Sequence, residues 1–207
     1  MTIQQKVQDR NIQYLYHFTY VDNLASIIEN GLISRVDLDD EEINYDYNDN
    51  DRIDGHLDAI CLSISYPNAK MFYKYRGLKA GDWVLLAISP AVLWEKDCAF
   101  YPTNAASNNV RFNDPSLLKS VEAMEAMFSE NVFSEIRGEN LTSEYTTDVQ
   151  AEVLVFEEIE PAYILEVIHP NKKSAEDFFV SHSTTKHTYY DTLNCKTLFS
   201  QRHYFLG

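Results

Sequence analysis

Polar and apolar positions alternate at Tyr14-Leu-Tyr-His-Phe18, with Tyr14, Tyr16 and Phe18 on one side and Leu15 and His17 on the other, which predicts an early β-strand. Asp22 or Asn23 can cap the helix expected next, in which Leu24, Ile27 and Ile28 recur at helical spacing and Gly31 supplies a left-handed stop. Ala59–Ile64 and Trp83–Ile88 are compact apolar runs of the kind that form interior strands, and Ser89-Pro90 then offers a cap and first turn. Leu117, Val121, Met124 and Phe128 keep a helical register behind Asp114-Pro115, so a helix is predicted from Ser116 to about Glu130 with its apolar stripe inward. A polar stretch from Arg137 to Asp148 leads into Ala151–Phe156, and Tyr163–Ile168 follows; both read as strands. In the tail, Thr188–Tyr190 and Thr197–Phe199 are β-prone, but residues 174–207 carry no motif and are either core completion or a contact surface for an inhibitor.

Length and composition narrow the picture. A chain of 207 residues that is 45% apolar and poor in Gly and Pro can bury one sizeable core, and no repeat or linker divides it, so residues 1–207 are expected as one domain. No apolar run is long enough to span a membrane and the N-terminus lacks the apolar core of a signal peptide, which points to a cytoplasmic protein without membrane partners. Cys61, Cys98 and Cys195 form no CxxC pair and read as small packing residues.

Charge works against one class of partner. A net charge of −15 repels nucleic acid, whose phosphates usually supply much of the affinity. Ten of the acidic residues, however, lie between Asp37 and Asp58, where Arg52 is the only Lys or Arg. Cations and aromatics interleave instead between Tyr66 and Lys79, including Tyr73, Lys74 and Arg76. That mixture suits a stacking surface for unpaired bases, or equally an amphipathic helix whose Phe72 and Tyr75 face the core.

The most informative residue is Glu152, a carboxylate set among valines and leucines where burial is costly. By the two-residue period Gln150, Glu152, Leu154 and Phe156 share a face, so Gln150 and Glu152 would sit together at a pocket mouth. The alternative is an edge-strand glutamate facing water or a lysine. His17 invites the same comparison: it is either structural or, with Thr19 and the helix start at Asn23, part of a site for a polar, anionic ligand. His17 forms no metal-ligand spacing with His56, His169 or His182, so no metal is expected.

Leu15-Tyr-His-Phe-Thr19, Asn23-Leu24, Asn30-Gly-Leu32 and Asp148-Val-Gln-Ala-Glu-Val-Leu-Val155 together resemble the DarT family of nucleic-acid base ADP-ribosyltransferases, toxins of bacterial toxin–antitoxin and anti-phage systems. The likeness runs from about residue 14 to 168 and takes in Arg52, Ser63-Ile-Ser65 and Pro161–Ile164. It implies an α+β fold with an ADP-ribosyltransferase-like split, twisted β-sheet core, flanking helices, and NAD in the cleft between the halves as ADP-ribose donor. It further implies Glu152 and Arg52 as catalytic groups and His17 and Thr19 at the nicotinamide end. Asn23, Gly31 and Leu32 would line the rest of the cofactor pocket, with Ser63 and Ser65 beneath the nicotinamide ribose and Tyr73 as an aromatic wall.

An anionic Glu152 beside the ribose would stabilise the positive charge that develops as the nicotinamide bond breaks. The acceptor implied is single-stranded DNA or, as an alternative, messenger RNA, because a base must leave its stack to react. Tyr145 in the 137–148 loop, Gln150, Lys74 and Arg76 are the candidates to meet it, although that loop reads equally as ordinary surface. A protein acceptor, or a silent NAD-binding interaction module, shares the same pocket. The acidic balance also fits a basic protein partner, and a cognate antitoxin is the one expected.

Overall fold

A computed structural model of the chain describes residues 1–42, 45, 54–78, 82–179, 185–190 and 196–206. The principal strands are β1 (Leu15–Tyr20), β2 (Ile60–Ile64), β3 (Trp83–Ile88) and β4 (Cys98–Tyr101). A small hairpin joins β5 (Asn131–Val132) to β6 (Glu135–Ile136), and β7 (Glu152–Val155), β8 (Ile164–His169) and β9 (Lys186–Tyr189) follow. Apart from that hairpin they form one seven-stranded sheet in the order β4-β7-β2-β1-β3-β8-β9, antiparallel throughout except for β8 beside β9. The helices are α1 (Ile3–Asp9), α2 (Leu24–Asn30), α3 (Arg35–Asp40), α4 (Ala69–Leu78), α5 (Val92–Glu95), α6 (Val121–Ala126), α7 (Lys172–Phe179) and α8 (Arg202–Leu206). The fold is α+β.

Both faces of the central strands are covered, which is why β3 reads as an unbroken apolar run: all six of its residues are buried. On one face Leu15, Leu62, Leu86 and Val153 pack with Val7 of α1, Leu24 of α2, Leu93 of α5 and Met124 of α6. On the other, Tyr16, Leu85 and Ala87 pack with Phe72 and Tyr75 of α4 and with Leu198 and Phe199 from the C-terminal segment. Fully burying a side chain such as Phe72 contributes roughly 1.5–3 kcal/mol, so those two faces rather than local propensity hold the short helices in place.

The sheet is divided in its middle. β1 pairs with β3 over its whole length, from Leu15↔Ile88 to Tyr20↔Trp83, but with β2 at two positions, Leu15↔Ile64 and Tyr16↔Ser63. Beyond Tyr16 the two strands part, and β2 continues in partnership with β7. The opening this leaves is the start of a cleft.

Several expectations need correction. The helix predicted from Ser116 to Glu130 is a 3-10 turn (Pro115–Leu118) followed by α6, because Ser120 adopts extended backbone and its hydroxyl accepts from the Ala123 N–H, restarting the helix. Leu117 is left 73% exposed rather than inward. Asn23 does not cap α2, since a 3-10 turn (Val21–Asn23) enters it. Thr197–Phe199 is a buried turn, not a strand: the Thr197 hydroxyl accepts from the Phe199 N–H. Among the elements not anticipated are α1, α3, β4, the β5–β6 hairpin, α7 and α8; of these α1 carries a reciprocal Thr2/Gln5 capping box, a signal present in the sequence.

Candidate functional site

The cleft runs through the division between β1 and β2 and has a volume of about 170 Å³. That is far above the roughly 10–15 Å³ one water molecule requires, so it accommodates an extended ligand. His17 and Thr19 point to the face of the sheet that carries α2, while Phe18, Ser63 and Glu152 belong to the other, and all five line the same hollow. Thus the parting of two strands joins side chains that an intact sheet would keep on opposite faces.

Glu152 opens β7, an interior strand between β4 and β2, and is 4% exposed. The edge-strand alternative is therefore overturned. Its carboxylate accepts hydrogen bonds from described residues at Oε1, from Asn68 Nδ2 (3.2 Å) and Asn104 Nδ2 (3.0 Å), and at Oε2, from the Ala105 N–H (2.9 Å). Its cross-strand partner Tyr101 keeps its proton, since burial pushes that hydroxyl up to about 12. Gln150 does not share this position. The Ala151 N–H closes a turn onto the Asp148 carbonyl just before β7, so the two-residue alternation does not reach back to 150, and Gln150 instead donates its backbone N–H to Asp148 Oδ1.

His17 reaches across the division to the Cys61 carbonyl, Nδ1 to O at 2.9 Å. A carbonyl only accepts, so Nδ1 carries the hydrogen and the ring's orientation is set. Thr19 is buried, and its hydroxyl accepts from Asn23 Nδ2 at 3.0 Å. Gly31 and Leu32 complete this side, with Leu32 and Ile159 exchanging two backbone hydrogen bonds of 2.9 Å. Ser63 lines the floor, and its hydroxyl accepts from the Asn68 N–H at 3.1 Å. Ser65 leaves the strand with φ 58° and does not line the cleft.

Four other expected residues fall elsewhere. Tyr73 is 65% exposed and faces away from the cleft; Met71, two positions earlier on α4, takes the wall instead. Lys74 is exposed on the same outer side of that helix. Arg76 donates to the Phe199 carbonyl at 2.7 Å and lies 4.6 Å from the Phe72 ring centre, so it ties the C-terminal segment to α4. Tyr145 is half-buried with its ring edge toward Tyr66, its carbonyl accepts from Arg137, and burial raises its hydroxyl above the usual tyrosine value. The period of α4 puts every third or fourth residue inward, and Phe72 and Tyr75 occupy those places, leaving Tyr73 and Lys74 outward. Arg52, His182 and Cys195 lie outside the described residues.

Residues not singled out from the sequence also line the cleft, notably Arg35, Tyr45, Asp54, Asn68 and Asn104. For Asn68 a signal existed: it stands immediately before α4 and its Oδ1 accepts from the Met71 N–H, the pattern of a helix cap. For Asn104 there was none. Among the described residues no group of three His, Cys, Asp or Glu side chains is arranged to hold a metal ion. None of the described helices is long and apolar enough to cross a membrane.

Comparison with known proteins bears on this arrangement. A curated relative, the DNA ADP-ribosyl transferase-DNA ADP-ribosyl glycohydrolase fusion protein of Thermosipho africanus (strain H17ap60334), is 25% identical over 163 residues, 72% of this chain and 40% of that protein. Among solved structures, Thermosipho africanus DarTG in complex with ADP-ribose superposes with a TM-score of 0.64 at 18% identity, over 90% of this chain and 51% of that one. Thermus sp. 2.9 DarT in complex with NAD+ gives 0.58 at 16% identity over 86% and 95%, and in complex with ADP-ribosylated ssDNA 0.51 at 14% over 87% and 95%. The chain thus spans less than half the length of the curated relative and about half of the DarTG chain. The structural likenesses establish the fold. A family profile described as DarT, ssDNA thymidine ADP-ribosyltransferase, matches from Tyr16 in β1 to Asp191, just past β9, and on that match the chain belongs to the DarT family.

Proposed function

We propose that this chain transfers ADP-ribose from NAD to a base of single-stranded DNA and releases nicotinamide. The observation that carries the reading is Glu152: a buried carboxylate, held by Asn68, Asn104 and the Ala105 N–H, at the floor of a through-sheet cleft whose other wall is His17. The fold is shared with a Thermus DarT solved with NAD+ and with ADP-ribosylated ssDNA, which supports the choice of donor and acceptor.

The cleft suits a dinucleotide. Phe18, Ile27, Leu32, Ile60 and Met71 offer apolar walls for rings, while Thr19, Asn23 and Ser63 offer polar atoms for ribose and amide groups. His17 and Thr19 hold the nicotinamide end, and Asn23, Gly31 and Leu32 the remainder. Glu152 then lies where positive charge develops on the sugar, and a preorganised anion in a site shielded from water lowers the barrier to that charge. The same carboxylate takes the proton from the acceptor nitrogen. Arg52, by its likeness to the family's arginine, orients the base and offsets its developing negative charge.

A base reached in this way is outside any stack, hence a single-stranded acceptor. The net charge of −15 disfavours broad phosphate contact, so recognition falls to local groups: Tyr145 and the 137–148 loop beside β7, with Lys74 on the outer side of α4. A chain that modifies DNA bases harms its host unless checked. The curated relative joins its transferase to a glycohydrolase, and a toxin role in the cytoplasm with a cognate antitoxin as partner follows from the same reading.

Incubation with labelled NAD and matched single-stranded DNA, duplex DNA and RNA tests this. Label is expected on single-stranded DNA, and Glu152→Ala should abolish it while the circular dichroism spectrum stays unchanged. Label on RNA alone would move the acceptor to RNA. Label on protein alone, or an active Glu152→Ala, would refute the reading.

A further inference from the structure

We infer that Asn68 and Asn104 are positioning residues that act through Glu152, delivering two amide N–H groups to the same carboxylate oxygen and fixing the plane in which it works. The inference rests on the proposed role of Glu152. Topology brings the three together: β7 lies between β2 and β4 and runs antiparallel to both, so its first residue sits at the end where both neighbours finish. Asn68 follows β2 and Asn104 follows β4, each within a few residues of its strand's end. The two loops converge on Glu152 from opposite sides.

Each asparagine uses both halves of its amide. Asn68 Oδ1 accepts from the Met71 N–H at 3.1 Å, capping α4, and Asn104 Oδ1 accepts from the Ala106 N–H at 2.9 Å, closing a local turn. With the oxygen so engaged, Nδ2 is directed to the carboxylate, and the orientation of each amide is unambiguous: a backbone donor requires the oxygen and a carboxylate requires the nitrogen. Aspartate or serine caps a helix as well as asparagine does. Aspartate has no hydrogen to give, whereas asparagine accepts from the backbone through Oδ1 and donates to Glu152 through Nδ2 of the same rigid group. Asn68 is 1% exposed, and its own N–H is given to Ser63 on the cleft floor, so the support is packed as well as bonded.

Two donors on Oε1 and the Ala105 N–H on Oε2 hold the carboxylate against rotation. A catalytic group displaced by about 1 Å loses on the order of 10²-fold in rate. Asn68→Ala and Asn104→Ala are therefore expected to lower kcat for nicotinamide release, measured with NAD and mixed-sequence single-stranded DNA, by about 10- to 100-fold, with KM for NAD changing less than about threefold. Asn104→Asp keeps the turn acceptor and removes the donor, so it should lose turnover too, and it carries the same expectation if an alanine variant fails to fold. A double-mutant cycle in unfolding free energy supplies a readout independent of activity: Asn104→Ala should cost less in a Glu152→Ala background than in the unaltered chain.

Turnover within about twofold of the unaltered chain in all three variants would overturn the inference, as would a rise in KM with kcat unchanged, which would make the asparagines ligands of NAD. Both outcomes leave the unaltered chain active and Glu152→Ala dead. An unaltered chain that releases no nicotinamide marks instead the failure of the transferase reading, and the inference falls with it.

Discussion

Gly31 is the position at which one methyl group should do the most damage. It ends α2 with φ 88° and ψ −170°, a region of backbone space open essentially to glycine. A Cβ built there would stand 2.3 Å from the Ile159 carbonyl oxygen and 3.1 Å from Glu160 Cα, both backbone atoms that no rotamer change can move. Backbone strain alone costs about 1–3 kcal/mol for a residue with a side chain. Relieving the clash means pushing Ile159 away, and Leu32 and Ile159 exchange two hydrogen bonds of 2.9 Å that would stretch or break. Each is worth about 0.5–1.5 kcal/mol, so Gly31→Ala should lose about 2–6 kcal/mol in all, a large share of the roughly 5–15 kcal/mol that holds a domain folded. In a chain of this size the melting midpoint should fall by at least about 5 °C, followed by circular dichroism and checked by urea unfolding. Gly77→Ala is the control of opposite sign. It lies inside α4 with no heavy atom within 4 Å of the added Cβ, and should gain about 0.5–1 kcal/mol. A Gly31→Ala chain as stable as the unaltered one would refute the reasoning, because neither the strain nor the close approach would then be real.

Three further outcomes are expected. His169 is buried against His187, Nε2 to Nδ1 at 2.9 Å, and burial first, then the second imidazole, lowers its pKa from the usual 6.5 to about 4. The unfolded chain therefore binds the extra proton first, so stability present above pH 6.5 should drain away as pH falls toward 4, by up to about 3 kcal/mol from this group; a His169→Gln chain with the same acid limb would contradict that. Arg202 donates to the Thr146 and Thr147 carbonyls at 2.6 and 2.9 Å, so Arg202→Ala should cost about 1–3 kcal/mol in urea and speed proteolytic cutting within residues 137–148, whereas an unchanged cutting rate would deny the C-terminal segment a bracing role. Tyr73→Ala with Lys74→Ala should leave stability within about 0.5 kcal/mol, since both are exposed, and a melting point lowered by several degrees would mean Tyr73 packs inward after all.

The fold was most legible where a pattern is local. The apolar runs at Ala59–Ile64, Trp83–Ile88 and Tyr163–Ile168 became β2, β3 and β8 to within a residue or so, because a strand covered on both faces must be apolar at every position. The choice between a stacking surface and an amphipathic helix at Tyr66–Lys79 was likewise settled by period: Phe72 and Tyr75 are buried in α4. Where one polar side chain outweighs a periodic stripe, as at Ser120, the pattern misled. β4 is four residues long with no alternation to read, and α1 was legible only through its capping box.

The chain's own order of residues determined which side chains had to be hidden, where glycine was required, and that Glu152 stood in a setting where a carboxylate is costly, since each follows from a residue and its near neighbours. Tertiary structure alone decided that β1 and β2 part after Tyr16, that His17 and Glu152 look into one hollow from opposite faces of the sheet, and that Asn68 and Asn104 close on a single oxygen. Those are facts of strand neighbourhood. A sheet order that sets β7, with residue 152 at its start, between β2 and β4 is fixed by the long-range packing of two buried faces, and no periodicity of two or 3.6 residues carries that information.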